Sequence, residues 1–190
     1  MVCPRLEIVL ATKPSNTLVD MLNAQLAMEF GNHNKYLALA AWCEDRSLSG
    51  LSAFYRGQAF EEYQHAVLIY SWMIDWDLPI RMQSVPAMSV EAESVQDVTR
   101  IALESEELTT DAIHAIYDLA DQEKIWALKD AFNWFVSEQV EEIAVARENV
   151  DRATMAGDTG GALLEFDREI GSKAGSPPPL PSGASTATGN

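Results

Sequence analysis

Cysteine is nearly missing: Cys3 and Cys43 are the only two in 190 residues. Two thiols that far apart make neither a disulfide framework nor the paired spacing of a zinc site. Basic residues are scarce as well, 13 Lys and Arg against 29 Asp and Glu, for a net charge of -16. Phosphate binding depends on clustered Lys and Arg, so no nucleic-acid partner is expected. An acidic surface instead raises the local concentration of cations, although solubility would account for the charge equally well. No apolar run is long and charge-free enough to span a bilayer, so no membrane partner is expected. The short apolar piece Leu6–Ala11 is interrupted by Glu7 and carries no cleavage pattern, which makes a cytoplasmic location the expectation. Strand patterns and repeats are missing too, which removes β-structure as an organising element.

What is present is helical periodicity in a chain that is 47% hydrophobic, enough for one packed domain. Residues 1–16, with Pro4 and Pro14, read as an N-terminal arm, and 17–172 as the domain. Residues 173–190, rich in Pro, Ser, Gly and Ala, read as a disordered tail. The spacing predicts helices over about Thr17–Leu48, Ser49–Asp77, Ser94–Gln122 and Glu123–Ala156, with a short fifth over Ala162–Ile170. The stretch from Asp77 to Glu93 holds Pro79 and Pro86 without a steady period. Such a length suits a crossover that joins two parallel helices of a bundle. The expected fold is therefore all-α: a four-helix bundle with a long crossover between its second and third helices.

The chemistry lies in acids that interrupt apolar faces. In Glu61-Glu62-Tyr63-Gln64-His65, flanked by Phe54, Phe60, Leu68, Ile69 and Trp72, Glu62 and His65 share one helical face. Such a pair alone is common on solvated faces; its meaning depends on the other helices. The first helix has an inward stripe of Leu22, Gln25, Leu26, Glu29, His33, Tyr36, Ala40 and Cys43. The third offers Ala102, Leu103, Glu106, Thr110, Ile113, Tyr117 and Ala120, and the fourth Leu128, Phe132, Phe135, Gln139, Glu142 and Ala146. Every long helix thus carries a metal-capable group near its middle. Buried carboxylates placed together raise one another's pKa, a penalty that divalent ions remove. Oxygen-rich ligation with one imidazole suits iron or manganese, and open positions permit dioxygen chemistry.

With these residues in view, the chain resembles a non-haem, bacterial-type ferritin of the ferritin-like di-iron superfamily over roughly Leu18–Ile170. The resemblance rests on Leu22-Asn23-Ala24-Gln25-Leu26 through Glu29, on Ala41-Trp42-Cys43, and on Phe60 through Ala66. It also rests on Leu78-Pro79-Ile80 with Val85-Pro86, and most specifically on Trp134 through Glu142. It implies iron storage and detoxification by a ferroxidase that oxidises Fe(II) to Fe(III) with dioxygen or hydrogen peroxide, followed by mineralisation inside a cage of twenty-four subunits. It further implies a di-iron centre in which Glu29, Glu62 and His65 hold the first iron, Glu62 bridges, Glu106 binds the second, and Gln139 sits beside it. Tyr36 falls where the family keeps a tyrosine, an expected one-electron donor or else a core tyrosine. Trp134 is expected to pack the core or carry electrons. A third iron site is implied at Glu61, Glu138, Glu141 and Glu142.

The chain also departs from related patterns. Bacterioferritins and rubrerythrins repeat Glu-x-x-His on the fourth helix, where this chain has Gln139 and Glu142. Tyr63 stands where the bacterioferritin haem ligand is a Met, so no haem is expected. A di-iron peroxidase or oxygenase on the same bundle is a competing reading, without the CxxC module of rubrerythrins to support it. A metal-free helical module would predict apolar residues at Glu29, Glu62, Glu106 and Gln139.

Overall fold

A computed structural model describes residues 13–173, and the expectations for 1–12 and 174–190 lie outside the described residues. Five helices follow in order: α1 Asn16–Glu44, α2 Ser49–Asp75, α3 Val95–Gln122, α4 Trp126–Ala156 and α5 Gly161–Ser172. No strand occurs among the described residues.

The starts of α1 and α3 are encoded locally. Ser15 Oγ accepts from the Leu18 amide at 3.1 Å, and Ser94 with Asp97 forms a reciprocal capping box. The ends of α1, α2 and α3 share one device. Ser47, Asp77 and Lys124 each adopt a left-handed backbone, with φ of 59°, 54° and 58°. The next residue is apolar each time, and its amide reaches back into the helix: Leu48 to Cys43 O, Leu78 to Met73 O and Ile125 to Ala120 O, at 3.0, 2.8 and 2.9 Å. These are Schellman closures without glycine, anchored by a buried Leu48 or Ile125 and a half-buried Leu78. The first helix therefore stops at Glu44 rather than Leu48, the second at Asp75 rather than Asp77, and the fourth begins at Trp126 rather than Glu123.

The segment between α2 and α3 is a strap laid along α1. Near the start of α1, Asn23 Nδ2 donates to Pro79 O at 3.0 Å and Asn23 Oδ1 accepts from the Arg81 amide at 2.5 Å. Near its end, Trp42 Nε1 donates to Ala92 O at 3.0 Å. The strap thus returns the chain to where α2 began, and α3 runs parallel to α2. The bundle consists of two antiparallel hairpins, α1–α2 and α3–α4, with α1 against α3.

The short helix α5 crosses the start of α2. Asp167 accepts from the amides of Gly50 and Leu51 at 3.1 and 2.8 Å, which supplies the cap that α2 lacks locally. A Cβ on Gly50 would stand 1.8 Å from Asp167 O, so the crossing requires glycine there.

The core is divided. One apolar cluster, with Tyr36, Leu39, Leu51, Tyr55, Val98 and Phe166, lies at the α5 end. Another, with Leu22, Leu26, Ile69, Met73, Ile113 and Phe132, lies at the opposite end. Between them lies a buried polar layer of Gln25, Glu29, Asn32, Glu62, His65, Ser105, Glu106, Thr109 and Gln139.

Candidate metal centre

The polar layer brings the expected residues together. Ligand-capable atoms of Glu29, Glu62 and His65 all lie within 4.8 Å of one another, and all three residues are buried. Glu29 comes from the middle of α1, while Glu62 and His65 project three residues apart from α2, with His65 Nδ1 3.6 Å from Glu62 Oε2. Trp134 and Phe135 of α4 meet the imidazole edge-on at centroid distances of 5.6 and 5.4 Å and close its apolar side. Glu106 enters from α3, and the Tyr36 hydroxyl donates to its Oε1.

Three carboxylate oxygens in this layer, Oε2 of Glu29, Glu62 and Glu106, are buried without a hydrogen-bond partner. Native folds rarely leave such atoms unpaired, and three together mark a place built for a cation. Burial, reinforced by the neighbouring Glu62, pushes the Glu29 carboxyl well above the usual range. Burial and Glu106 do the same to Glu62. Glu106 is also raised by burial, against the bond from Tyr36 and the attraction of His65. The Tyr36 hydroxyl is raised by burial and by the nearby Glu106 and Glu62. The cluster resists full ionisation by itself, and a divalent ion would supply the missing positive charge.

Gln139 is tied to α3. Its Oε1 accepts from Thr110 Oγ1 at 2.7 Å, and its side chain favours the ionised form of Glu106. The amide oxygen is thereby already engaged by the protein. On the opposite wall, Gln25 Nε2 donates to Glu29 Oε1 at 2.7 Å and orients that acid. Neither Thr110 nor Gln25 was singled out for the site, although both lie on the inward stripes and Gln25 precedes Glu29 by one turn.

A second buried network escaped the sequence altogether. Asn32 donates to Thr109 Oγ1 at 2.8 Å and accepts from Ser105 Oγ at 2.9 Å, and Lys35 Nζ donates to Ser105 Oγ at 2.6 Å. Burial lowers the pKa of this lysine, while Glu106, Glu62 and Glu104 pull it back up. Nothing local to α1 or α3 announces the network, because each partner lies on the other helix.

Beside the first cluster lies another, with His65, Glu138 and Glu142 offering ligand atoms within 4.8 Å of one another. Glu61 stands near it: burial, with Glu138 adding repulsion, pushes its carboxyl up to about 7, despite His65 and a bond donated by Gln58. Burial and repulsion from Glu106 and Glu61 raise Glu142 strongly, and burial raises Glu138. Glu141 is exposed and stands outside this group. Tyr63 is also exposed, against Phe30 and His33.

The chain is similar to known proteins in sequence and fold. Residues 19–156 match the family model described as a ferritin-like domain. The bacterial non-heme ferritin of Staphylococcus saprophyticus is 32% identical over 157 residues, covering 83% of this chain and 94% of that protein. Its counterpart in Staphylococcus aureus is 30% identical over 159 residues, covering 84% and 96%. Among solved structures, the open pore ferritin of the archaeon Archaeoglobus fulgidus superposes with a TM-score of 0.81 at 30% identity, covering 84% of this chain and 98% of that one. A humanized archaeal ferritin gives 0.81 at 31% identity, covering 84% and 96%.

Proposed function

The chain belongs to the ferritin family, and from that premise we propose how its buried acids bind iron for oxidation. The protein is an iron-storing ferroxidase that oxidises Fe(II) to Fe(III), and Fe(II) is its substrate. Glu29, Glu62 and His65 receive the first ion, and Glu62, between Glu29 and Glu106, bridges to a second held by Glu106. The observation that carries this assignment is the set of three unpaired, buried carboxylate oxygens on Glu29, Glu62 and Glu106.

The protein's residues set ligand number and leave room for the oxidant, dioxygen or hydrogen peroxide. Gln139 favours the ionised form of Glu106, and Gln25 keeps Glu29 aimed through its hydrogen bond. Tyr36 is the adjacent one-electron donor, its proton already directed at Glu106. A third iron occupies the neighbouring group of Glu138 and Glu142, with Glu61 beside it and Glu141 at its exposed edge, as a station between the centre and the store. The product Fe(III) mineralises inside a cage of twenty-four copies in the cytoplasm. The site uses no haem. No helix among the described residues is long and apolar enough to cross a membrane.

The test is to mix anaerobically Fe(II)-loaded protein with oxygen, follow the Fe(III)-oxo absorbance, and measure native mass. Oxidation well ahead of buffer by a large cage is the expected result. A small oligomer that oxidises Fe(II) no faster than buffer would overturn the assignment.

A further inference from the structure

Tyr36 does not stand alone. The Tyr55 ring, from α2, stacks on it with centroids 6.0 Å apart and planes 18° from parallel. Tyr55 is fully buried, yet its hydroxyl has no hydrogen-bond partner, which is unusual for a core tyrosine. Packing alone would be served as well by Phe, which leaves no polar atom to desolvate. Both tyrosines line a cavity of about 10 Å³, room for a single water, whose wall also carries Gln58, Thr99 and Asn149. The cavity lies on the α5 side of the polar layer, away from Glu29 and Glu62.

From the stacked rings, the unpartnered hydroxyl and this polar cavity, we propose that Tyr55 refills Tyr36 with an electron and so carries the oxidising equivalent away from the metal centre. The proposal rests on the reading of Tyr36 as a one-electron donor. Reduction of dioxygen to hydrogen peroxide takes two electrons and two protons; solvent supplies the protons, a single bound Fe(II) supplies one electron, and Tyr36 supplies the other. The Tyr36 proton then passes along its hydrogen bond to Glu106. In the refilling step an electron crosses from Tyr55 to Tyr36, and the Tyr36 oxygen takes its proton back from Glu106. The Tyr55 proton passes to water in the cavity, leaving Tyr55 as the neutral phenoxyl radical. Charge and atoms balance, and the radical ends one ring further from the carboxylates it would otherwise damage.

The experiment is freeze-quench electron paramagnetic resonance on the full-length protein, loaded with less Fe(II) than the centre takes and mixed with oxygen. Wild type is compared with Tyr36→Phe and Tyr55→Phe. Phe at 55 removes only an unpartnered hydroxyl, so its unfolding midpoint should equal or exceed that of wild type. The expected result is a tyrosyl signal in wild type, its loss in Tyr36→Phe, and a signal of altered line shape and several-fold shorter lifetime in Tyr55→Phe. A Tyr55→Phe signal identical to wild type in shape and decay would overturn the relay while leaving Tyr36 as donor. A wild-type signal that survives in Tyr36→Phe would overturn both.

Discussion

The Thr110 hydroxyl donates to the amide oxygen of Gln139 at 2.7 Å, so α3 decides which end of a side chain on α4 faces the acids. Gln139→Glu would replace a neutral neighbour of Glu106 with another carboxylate in a layer already short of positive charge. Its metal-free form should lose about 1–3 kcal/mol, in the range for a buried polar group left mispaired. Denaturant titration with and without a redox-inert divalent ion checks this. The ion should reverse the order, stabilising the variant more than the wild type, because the added acid becomes a ligand.

Glu62 gives the opposite trade. Glu62→Ala removes the acid shared by the two proposed iron positions, and fast Fe(II) oxidation should fall at least about 100-fold, beyond what loss of an orienting neighbour does to metal sites. The metal-free variant should unfold no earlier than wild type, since a buried, repelled carboxyl disappears with it. Stopped-flow absorbance and a thermal melt test the two halves; wild-type oxidation rates would remove Glu62 from the site.

The raised carboxyls make the metal-free protein weaken as pH increases. Glu29, Glu62 and Glu142 are held well above the ordinary range by burial and mutual repulsion, and Glu61 up to about 7. Each holds its proton more tightly folded than unfolded, so its stabilising contribution is full below the unfolded value near 4.5 and is lost as pH rises through the folded one. Urea midpoints should therefore decline from about pH 5 to about pH 8, and Glu61→Gln should flatten the part near neutrality. Asp97 and Glu148, lowered by hydrogen bonds, act in the other direction only at more acid pH. Added divalent ion should stabilise more strongly as pH rises, because binding displaces protons.

The turn between α3 and α4 offers a plain gain in stability. Lys124 holds a left-handed backbone at φ 58°, and its side chain is exposed. A non-glycine residue pays about 1–2 kcal/mol for that conformation, part of which glycine returns as unfolded-state entropy. Lys124→Gly should raise stability by about 0.5–1 kcal/mol, seen as a shifted denaturant midpoint at unchanged slope.

Asp167 should behave as a helix cap despite its distance in sequence. Asp167→Ala leaves the Gly50 and Leu51 amides without their acceptors and should destabilise by about 1–2 kcal/mol, with Asp167→Asn recovering part. Hydrogen exchange should locate the loss at the start of α2 and throughout α5.

The helices and the acids were legible because both leave periodic traces within a single segment. Glu29, Glu62, His65, Glu106 and Gln139 were found as polar interruptions of apolar stripes, and all five are buried in one layer. The helix ends were less legible, because Ser47, Asp77 and Lys124 adopt a conformation usually signalled by glycine. Asp167 left no trace near α2, and the Asn32–Ser105–Thr109–Lys35 network joins helices through residues that look like ordinary surface polars. Periodicity reports which face is buried; it does not report which partner waits there.

The division of the layer between the two hairpins makes the ion shared by Glu62 and Glu106 a structural bolt. The α1–α2 hairpin brings Glu29, Glu62 and His65, and α3–α4 brings Glu106, Gln139 and Glu142. Before iron arrives, the seam between them holds repelling carboxyls, which favour its parting. An ion held from both sides turns the same atoms into a clamp. Iron loading should then slow opening along the α1–α3 seam far more than fraying within either hairpin, so the substrate itself tightens the fold that receives it.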